Sequence, residues 1–133
     1  MKKLPNHILF KLSFIIMGVI LLMTSKAFSQ DFIHQDDFKK KTSQGIVLVE
    51  FWAEFNAMNQ VNLKKIYDCK KYRVDMSTDP SLMVTHKVTA VPTVVIYKNG
   101  KEVKRFLPSL MMKLDAEIKD IQDAIDELVD DKF

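Results

Sequence analysis

Runs of apolar residues divide the chain into candidate strands separated by polar connections. Ile46–Trp52 is almost continuously apolar and rich in β-branched and aromatic residues, which is typical of a strand buried on both faces. Tyr72–Asp75 is a shorter strand candidate, and Thr93–Lys98 is a strong one. The Asn-Gly pair at positions 99–100 predicts a tight hairpin into an alternating strand over Glu102–Leu107. The pattern therefore predicts a mixed sheet with an antiparallel edge.

Helical signals fill the gaps between these strands. Asp79 is a candidate N-cap for a helix that begins at Pro80 and ends near His86. The clearest helix is C-terminal, with apolar residues at positions 118, 121, 124, 125 and 128 and Asp115 as the expected N-cap. A weaker and shorter helix is predicted over Met58–Tyr67. This order of elements predicts an α/β sandwich with one central mixed sheet flanked by helices.

The N-terminus has the pattern of an export signal. Lysines at positions 2, 3 and 11 precede the apolar run Leu12–Met23, and Ala27 and Ser29 form a small-x-small cleavage site. As a helix this run would rise only about 18 Å, short of a hydrocarbon core roughly 30 Å thick. We therefore predict a signal peptide over residues 1–29 and a domain over 30–133 that is exported to the periplasm or the cell exterior. An uncleaved membrane anchor is the alternative.

The signal accounts for the basic character of the whole chain. Four of the 20 basic residues and none of the 17 acidic residues lie within 1–29, so the domain itself carries 16 basic and 17 acidic groups. A net charge of −1 gives no reason to expect nucleic acid or an anionic membrane surface as a partner. After signal cleavage no stable membrane anchor is expected.

Three local sequences, in this order, resemble segments of the thioredoxin superfamily. They are Val49–Glu54, Lys71 with Val74 and Asp75, and Val88–Val95 with the Tyr97–Gly100 turn that follows. The resemblance covers about Val47 to Val103, and the C-terminal helix extends it to nearly the whole domain. It implies a thioredoxin-like three-layer sandwich. It also implies a cis bond before Pro92, where the preceding residue offers its backbone N–H and C=O to an extended substrate peptide.

The chain departs from this family at its redox centre. The positions that read Cys-x-x-Cys in thioredoxins are here Asn56, Ala57, Met58 and Asn59. An amide side chain is not a nucleophile, so neither asparagine can attack or resolve a disulfide. Phe55 stands where the family usually has Trp. The stretch from 59 to 72 is shorter than in typical thioredoxins, so we expect a shorter second helix. We therefore predict no catalytic residue of dithiol exchange and no cofactor.

Cys69 is the only cysteine, so an intramolecular disulfide is impossible. It precedes a strand expected to run parallel to Ile46–Trp52, which places it some 13–20 Å from Trp52, at the opposite end of the sheet. It therefore cannot replace the missing active-site thiols. One hypothesis makes it a small apolar side chain packed under a loop. The other makes it a reactive thiol, because lysines at 64, 65, 70 and 71 would lower its pKa.

The resemblance assigns a second inherited feature. Thioredoxins carry a buried acid that assists proton transfer at the thiols, with a lysine nearby, and Glu50 and Lys71 match these positions. Without thiols we expect only a buried pair, in which burial raises the pKa of Glu50 and the lysine partly offsets this. His34 and His86 lack partners at metal-binding spacing, so no metal site is predicted.

An apolar groove is the functional element that we expect to survive. Its predicted residues are Trp52, Phe55, Met58, Val91 and Pro92. Such a groove would pair with an extended peptide by strand addition. The leading hypothesis is a non-catalytic module that binds an unknown peptide or protein partner. The alternatives are a redox protein that forms mixed disulfides through Cys69, and a structural subunit whose groove has no function.

Overall fold

The computed structural model describes residues 32–131 together with positions 3, 5, 6, 8 and 11. The signal predicted over 1–29 lies outside the described residues apart from those five positions. The helices are α1 (Gln35–Thr42), α2 (Pro80–Thr85) and α3 (Ile118–Asp130), and the strands are β1 (Ile46–Trp52), β2 (Lys70–Asp75), β3 (Thr93–Lys98) and β4 (Lys101–Phe106). Two 3₁₀ segments, Glu54–Asn59 and Leu63–Lys65, connect β1 to β2. Among these described elements no helix has the length and apolar character needed to span a membrane.

The four strands form one mixed sheet in the order β2-β1-β3-β4. β1 and β2 run parallel, while β3 is antiparallel to both β1 and β4. Asn99 and Gly100 adopt positive φ angles of 50° and 84°, which suit the hairpin turn that an Asn-Gly pair favours. The Asn99 side-chain oxygen also accepts a hydrogen bond from the Gly45 N–H at 2.9 Å, which ties the hairpin to the start of β1. The predicted antiparallel edge is confirmed.

Apolar side chains pack on both faces of the sheet because alternate residues of a strand point to opposite sides. Val49 of β1 faces a cluster that contains Phe38 of α1 and Leu82 of α2. Leu48 faces a second cluster that contains Ile121 of α3. These two cores give the three-layer α/β sandwich that the sequence predicts, with α1 and α2 on one face and α3 on the other.

The connection from β1 to β2 differs from the prediction. An α-helix was expected over Met58–Tyr67, but only short 3₁₀ segments form, separated by extended residues. The physical reason lies at Val61, whose N–H donates to the Glu50 carboxylate at 2.8 Å and whose C=O accepts from Arg73 at 3.0 Å. Because both backbone groups bind buried side chains, they cannot take part in an α-helical ladder.

Helix starts agree with the sequence for α2 and differ for α3. Asp79 and Pro80 occupy the N-cap and first-turn positions of α2 as predicted. In α3 the N-cap is Glu117 rather than Asp115, and the Glu117 N–H donates to Asp120 Oδ2 at 2.7 Å in a capping box. Asp115 instead donates its N–H to the Leu107 carbonyl at 3.1 Å, which keeps it in the preceding loop.

Candidate functional site

The candidate site lies where β1 ends and the chain turns into the first 3₁₀ segment. Asn56 departs from helical geometry there, with φ −114° and ψ 27°, and its side chain is buried. In the thioredoxin pattern this is the position of the attacking cysteine. The residue that replaces the nucleophile is therefore directed into the protein.

Asn56 and Asn59 form a set of hydrogen bonds that we call the amide clasp. Asn56 Nδ2 donates to the Val91 carbonyl at 3.1 Å and to the Met112 carbonyl at 2.8 Å. Asn59 Nδ2 donates to Asn56 Oδ1 at 2.9 Å. Both N–H groups of the Asn56 amide are thus used. The amide clasp joins three segments that are distant in sequence. Asn56 and Asn59 therefore stabilise the fold at the two positions that carry thiols in the thioredoxin pattern.

The Val91–Pro92 segment, to which Asn56 donates a hydrogen bond, has one backbone N–H without a partner among the described residues. The Val91–Pro92 peptide bond is cis, and both residues are buried. The Val91 carbonyl is bound to Asn56, but within the part of the chain that the structure describes no partner accepts a hydrogen bond from the Val91 N–H.

An open cavity of about 590 Å³ lies beside Val91. Its lining comprises Ala53, Phe55, Met76, Ser77, Met83, Thr89, Ala90, Val91, Ser109, Leu110 and Met112. None of these side chains is charged. Phe55 is 76% exposed and Leu110 is fully exposed at the rim, while three methionines supply flexible apolar walls. The cavity fits apolar side chains of varied shape.

The predicted groove is only partly assembled. Phe55 and Val91 line the cavity, whereas Trp52, Met58 and Pro92 do not. Trp52 packs edge-to-face against Phe32 at a ring distance of 6.0 Å, and Pro92 is buried. Met58 is fully exposed and lines a neighbouring depression.

One part of the cavity lining was not predicted from the sequence. It is formed by the loop between β4 and α3, through Ser109, Leu110 and Met112. The available signal was an apolar run at 110–112 that fits neither a strand nor a helix. Loops with exposed apolar residues commonly mark binding surfaces.

Glu50 forms a buried ion pair, but not with Lys71 as expected. Its Oε2 accepts from Arg73 Nε at 2.6 Å, while Lys71 Nζ donates to the Ile66 carbonyl at 2.7 Å. The register explains this correction, because Arg73 lies directly opposite Glu50 on the parallel strand and Lys71 lies opposite Leu48. Burial raises the pKa of the Glu50 carboxyl, and the Arg73 guanidinium opposes that rise. Each carboxylate oxygen thus accepts a hydrogen bond, Oε1 from the Val61 N–H and Oε2 from Arg73.

Cys69 lies at the end of the sheet opposite to Trp52, as the sequence places it, and its side chain is half-buried. The next residue, Lys70, pairs with Val47 at the start of β1, and Asp75 pairs with Trp52 five residues later, about 16 Å along the strand. Burial raises the pKa of the Cys69 thiol to about 11, and the nearby Lys71 does not offset this. A raised pKa leaves less of the thiol ionised near neutral pH, which disfavours nucleophilic attack.

The two histidines of the domain have structural contacts. His34 Nδ1 lies 2.6 Å from Asp79 Oδ2 at the start of α2, and the His86 ring stacks against Phe38 at 4.1 Å. Between residues 32 and 131, no group of three or more His, Cys, Asp or Glu side chains is placed to hold a metal ion.

Comparison with known proteins decides the family. The family model described as Thioredoxin matches residues 29–120. The chain belongs to the thioredoxin family. Thioredoxin from Chlamydia trachomatis is 25% identical over 80 residues, which cover 55% of this chain and 78% of that protein. Thioredoxin from Staphylococcus epidermidis is 27% identical over 81 residues, with the same two coverages of 55% and 78%.

Solved thioredoxin structures share the fold. A mutant thioredoxin from Halobacterium salinarum superposes with a TM-score of 0.60 at 21% identity, covering 73% of this chain and 88% of that one. Thioredoxin from Malassezia sympodialis gives a TM-score of 0.53 at 22% identity, covering 74% and 90%. Against this family background, the amide clasp replaces the thioredoxin Cys-x-x-Cys pair.

Proposed function

We propose that this thioredoxin-family domain is an exported, non-catalytic module that binds an extended apolar segment of a partner protein beside Val91. The cavity next to an unpaired Val91 N–H is the observation that carries the proposal. Export is inferred from the signal pattern of residues 1–29.

The site's side chains argue against electron transfer. Asn56 and Asn59 are engaged in the amide clasp and carry no redox chemistry. Glu50, the match to the family's proton-transfer acid, is held by Arg73 in a buried pair. Cys69 lies at the far end of the sheet with a raised thiol pKa, which opposes the alternative of mixed disulfides through this residue.

The cavity supports peptide binding on two grounds. Its uncharged lining favours apolar side chains, because their burial contributes about 25 cal/mol per Å² of surface removed from water. The Val91 N–H adds a directional donor for a peptide carbonyl, as in strand addition. The amide clasp ties Val91 and Met112, which both line the cavity, to Asn56 before binding. Such preorganisation reduces the entropy lost on association.

Binding of a capped, neutral decapeptide tests this proposal. The peptide has a Leu-Val-Leu centre between Gln and Ser residues and is followed by fluorescence anisotropy. Phe55→Lys and Leu110→Lys are each expected to raise its Kd about tenfold or more, because each places a charge at the apolar rim. Both side chains are exposed, so the fold should tolerate these changes.

Val103→Lys is the matched control, since Val103 is an exposed apolar residue of β4 that does not line the cavity. Its Kd should equal that of the unaltered domain. Equal affinity in all four proteins would place binding elsewhere and contradict the proposed site.

A further inference from the structure

A second, smaller depression of about 240 Å³ is lined by the residues just beyond the amide clasp. Its floor is apolar and includes Val61 and Ile118. Its rim differs from that of the first cavity, because it carries the side chains of Lys65 and Lys113 and the amides of Asn59, Gln60 and Asn62. This depression has the composition expected of a site for an anionic group.

The charge of this depression is not neutralised by its own lining. Neither Lys65 nor Lys113 forms an ion pair with any residue that the structure describes. The acids adjacent in sequence, Asp115 and Glu117, do not line the depression. Glu117 is moreover engaged at the start of α3, where its side chain accepts a backbone N–H in the capping box. No acidic residue therefore lines this depression, and the two lysines make its rim basic.

The same two segments line both cavities, one on each side of the amide clasp. In the 3₁₀ segment, Phe55 lines the first cavity and Met58 lines the depression. In the loop before α3, Met112 lines the first cavity and Lys113 lines the depression. Three residues span at most about 11 Å, and Met112 and Lys113 are consecutive residues, so an extended chain crosses from one cavity to the other in about two to four residues.

We propose that the bound segment is bipartite, with an apolar anchor in the cavity beside Val91 and an acidic side chain between Lys65 and Lys113. This inference rests on the proposed function and specifies the chemistry of its partner. It predicts a preference for acidic residues about two to four positions from the apolar anchor. The affinity that an acidic residue adds comes from charge complementarity at an exposed rim, so this increase is modest and sensitive to salt.

Three capped decapeptides with the same Leu-Val-Leu centre test this inference. The flanking positions on both sides of the centre carry Gln, Glu or Lys, so that either binding direction is sampled. By anisotropy at low salt, the Glu peptide should bind about 3–10-fold tighter than the Gln peptide, and the Lys peptide more weakly. The preference for Glu should disappear near 1 M salt.

Charge reversal at the two lysines tests whether they cause the preference for the Glu peptide. Lys65→Glu combined with Lys113→Glu should abolish the preference for the Glu peptide over the Gln peptide, measured as the ratio of the two Kd values. Lys70→Glu combined with Lys101→Glu, two exposed lysines outside both cavities, should retain the preference. Equal affinity for Gln and Glu peptides would overturn this inference and leave the proposed function standing. Failure of all three peptides to bind would overturn the proposed function as well.

Discussion

Replacing Glu50 by alanine is expected to lower the free energy of unfolding by about 3–5 kcal/mol. Glu50 is fully buried and accepts hydrogen bonds from Arg73 at 2.6 Å and from the Val61 N–H at 2.8 Å. Its removal takes the carboxylate away from Arg73, a residue that is 3% exposed, and leaves the buried Val61 N–H without this acceptor. Since small domains are stable by only about 5–15 kcal/mol, the variant should unfold at much lower urea concentrations.

The pair Glu102–Arg105 is a matched control, because it joins the same residue types at 2.7 Å on the exposed edge strand. Glu102→Ala should cost less than about 1 kcal/mol, as exposed ion pairs do. The double change Glu50→Leu with Arg73→Met should recover much of the stability that Glu50→Ala loses, because no buried charge remains. If Glu50→Ala lowers the free energy of unfolding no more than Glu102→Ala does, Glu50 does not stabilise the β1–β2 connection.

Replacing Asn56 by alanine is expected to cost about 1–3 kcal/mol of stability and to weaken peptide binding. Asn56 Nδ2 is the donor for the Val91 and Met112 carbonyls, at 3.1 and 2.8 Å, so both would lose a partner at once. The loop that carries Met112 would then be free to move relative to Val91. Urea unfolding measures the stability, and amide hydrogen exchange around Met112 should become faster.

Asn62→Ala is the control for this change. Asn62 is exposed, and its side chain makes no hydrogen bond to the residues between 32 and 131. It should alter neither stability nor hydrogen exchange. If Asn56→Ala leaves exchange around Met112 as slow as in the unaltered domain, the amide clasp does not fix the cavity walls.

The fold could be predicted because the strongest local signals agree with one another. The continuous apolar run of β1 indicates burial on both faces, and both faces are covered. The Asn-Gly turn and the Asp79-Pro80 helix start depend on local backbone preferences, which sequence shows directly. The segment after Asn59 could not be predicted in this way. There the long-range hydrogen bonds from Val61 to Glu50 and Arg73 override a weak helical pattern.

The candidate site was predicted less well than the fold. Sequence shows that the thiols are absent, but not that Asn56 binds two carbonyls 35 and 56 residues away. The choice of Arg73 over Lys71 depends on strand register, which a short strand pattern does not fix. The raised pKa of Cys69 depends on burial, whereas the neighbouring lysines suggested the opposite direction. Each of these features depends on packing that brings distant segments of the chain together.

The central claim is that this domain binds apolar peptides without electron transfer. One measurement tests it directly. The neutral peptide is prepared with one added cysteine in a disulfide to glutathione and is incubated with the domain in a glutathione buffer. Native mass spectrometry then follows both the complex and the peptide disulfide. We predict a non-covalent complex in which the disulfide is lost no faster than in buffer alone. A covalent adduct through Cys69, or accelerated loss of the disulfide, would contradict the claim, and so would the absence of any complex.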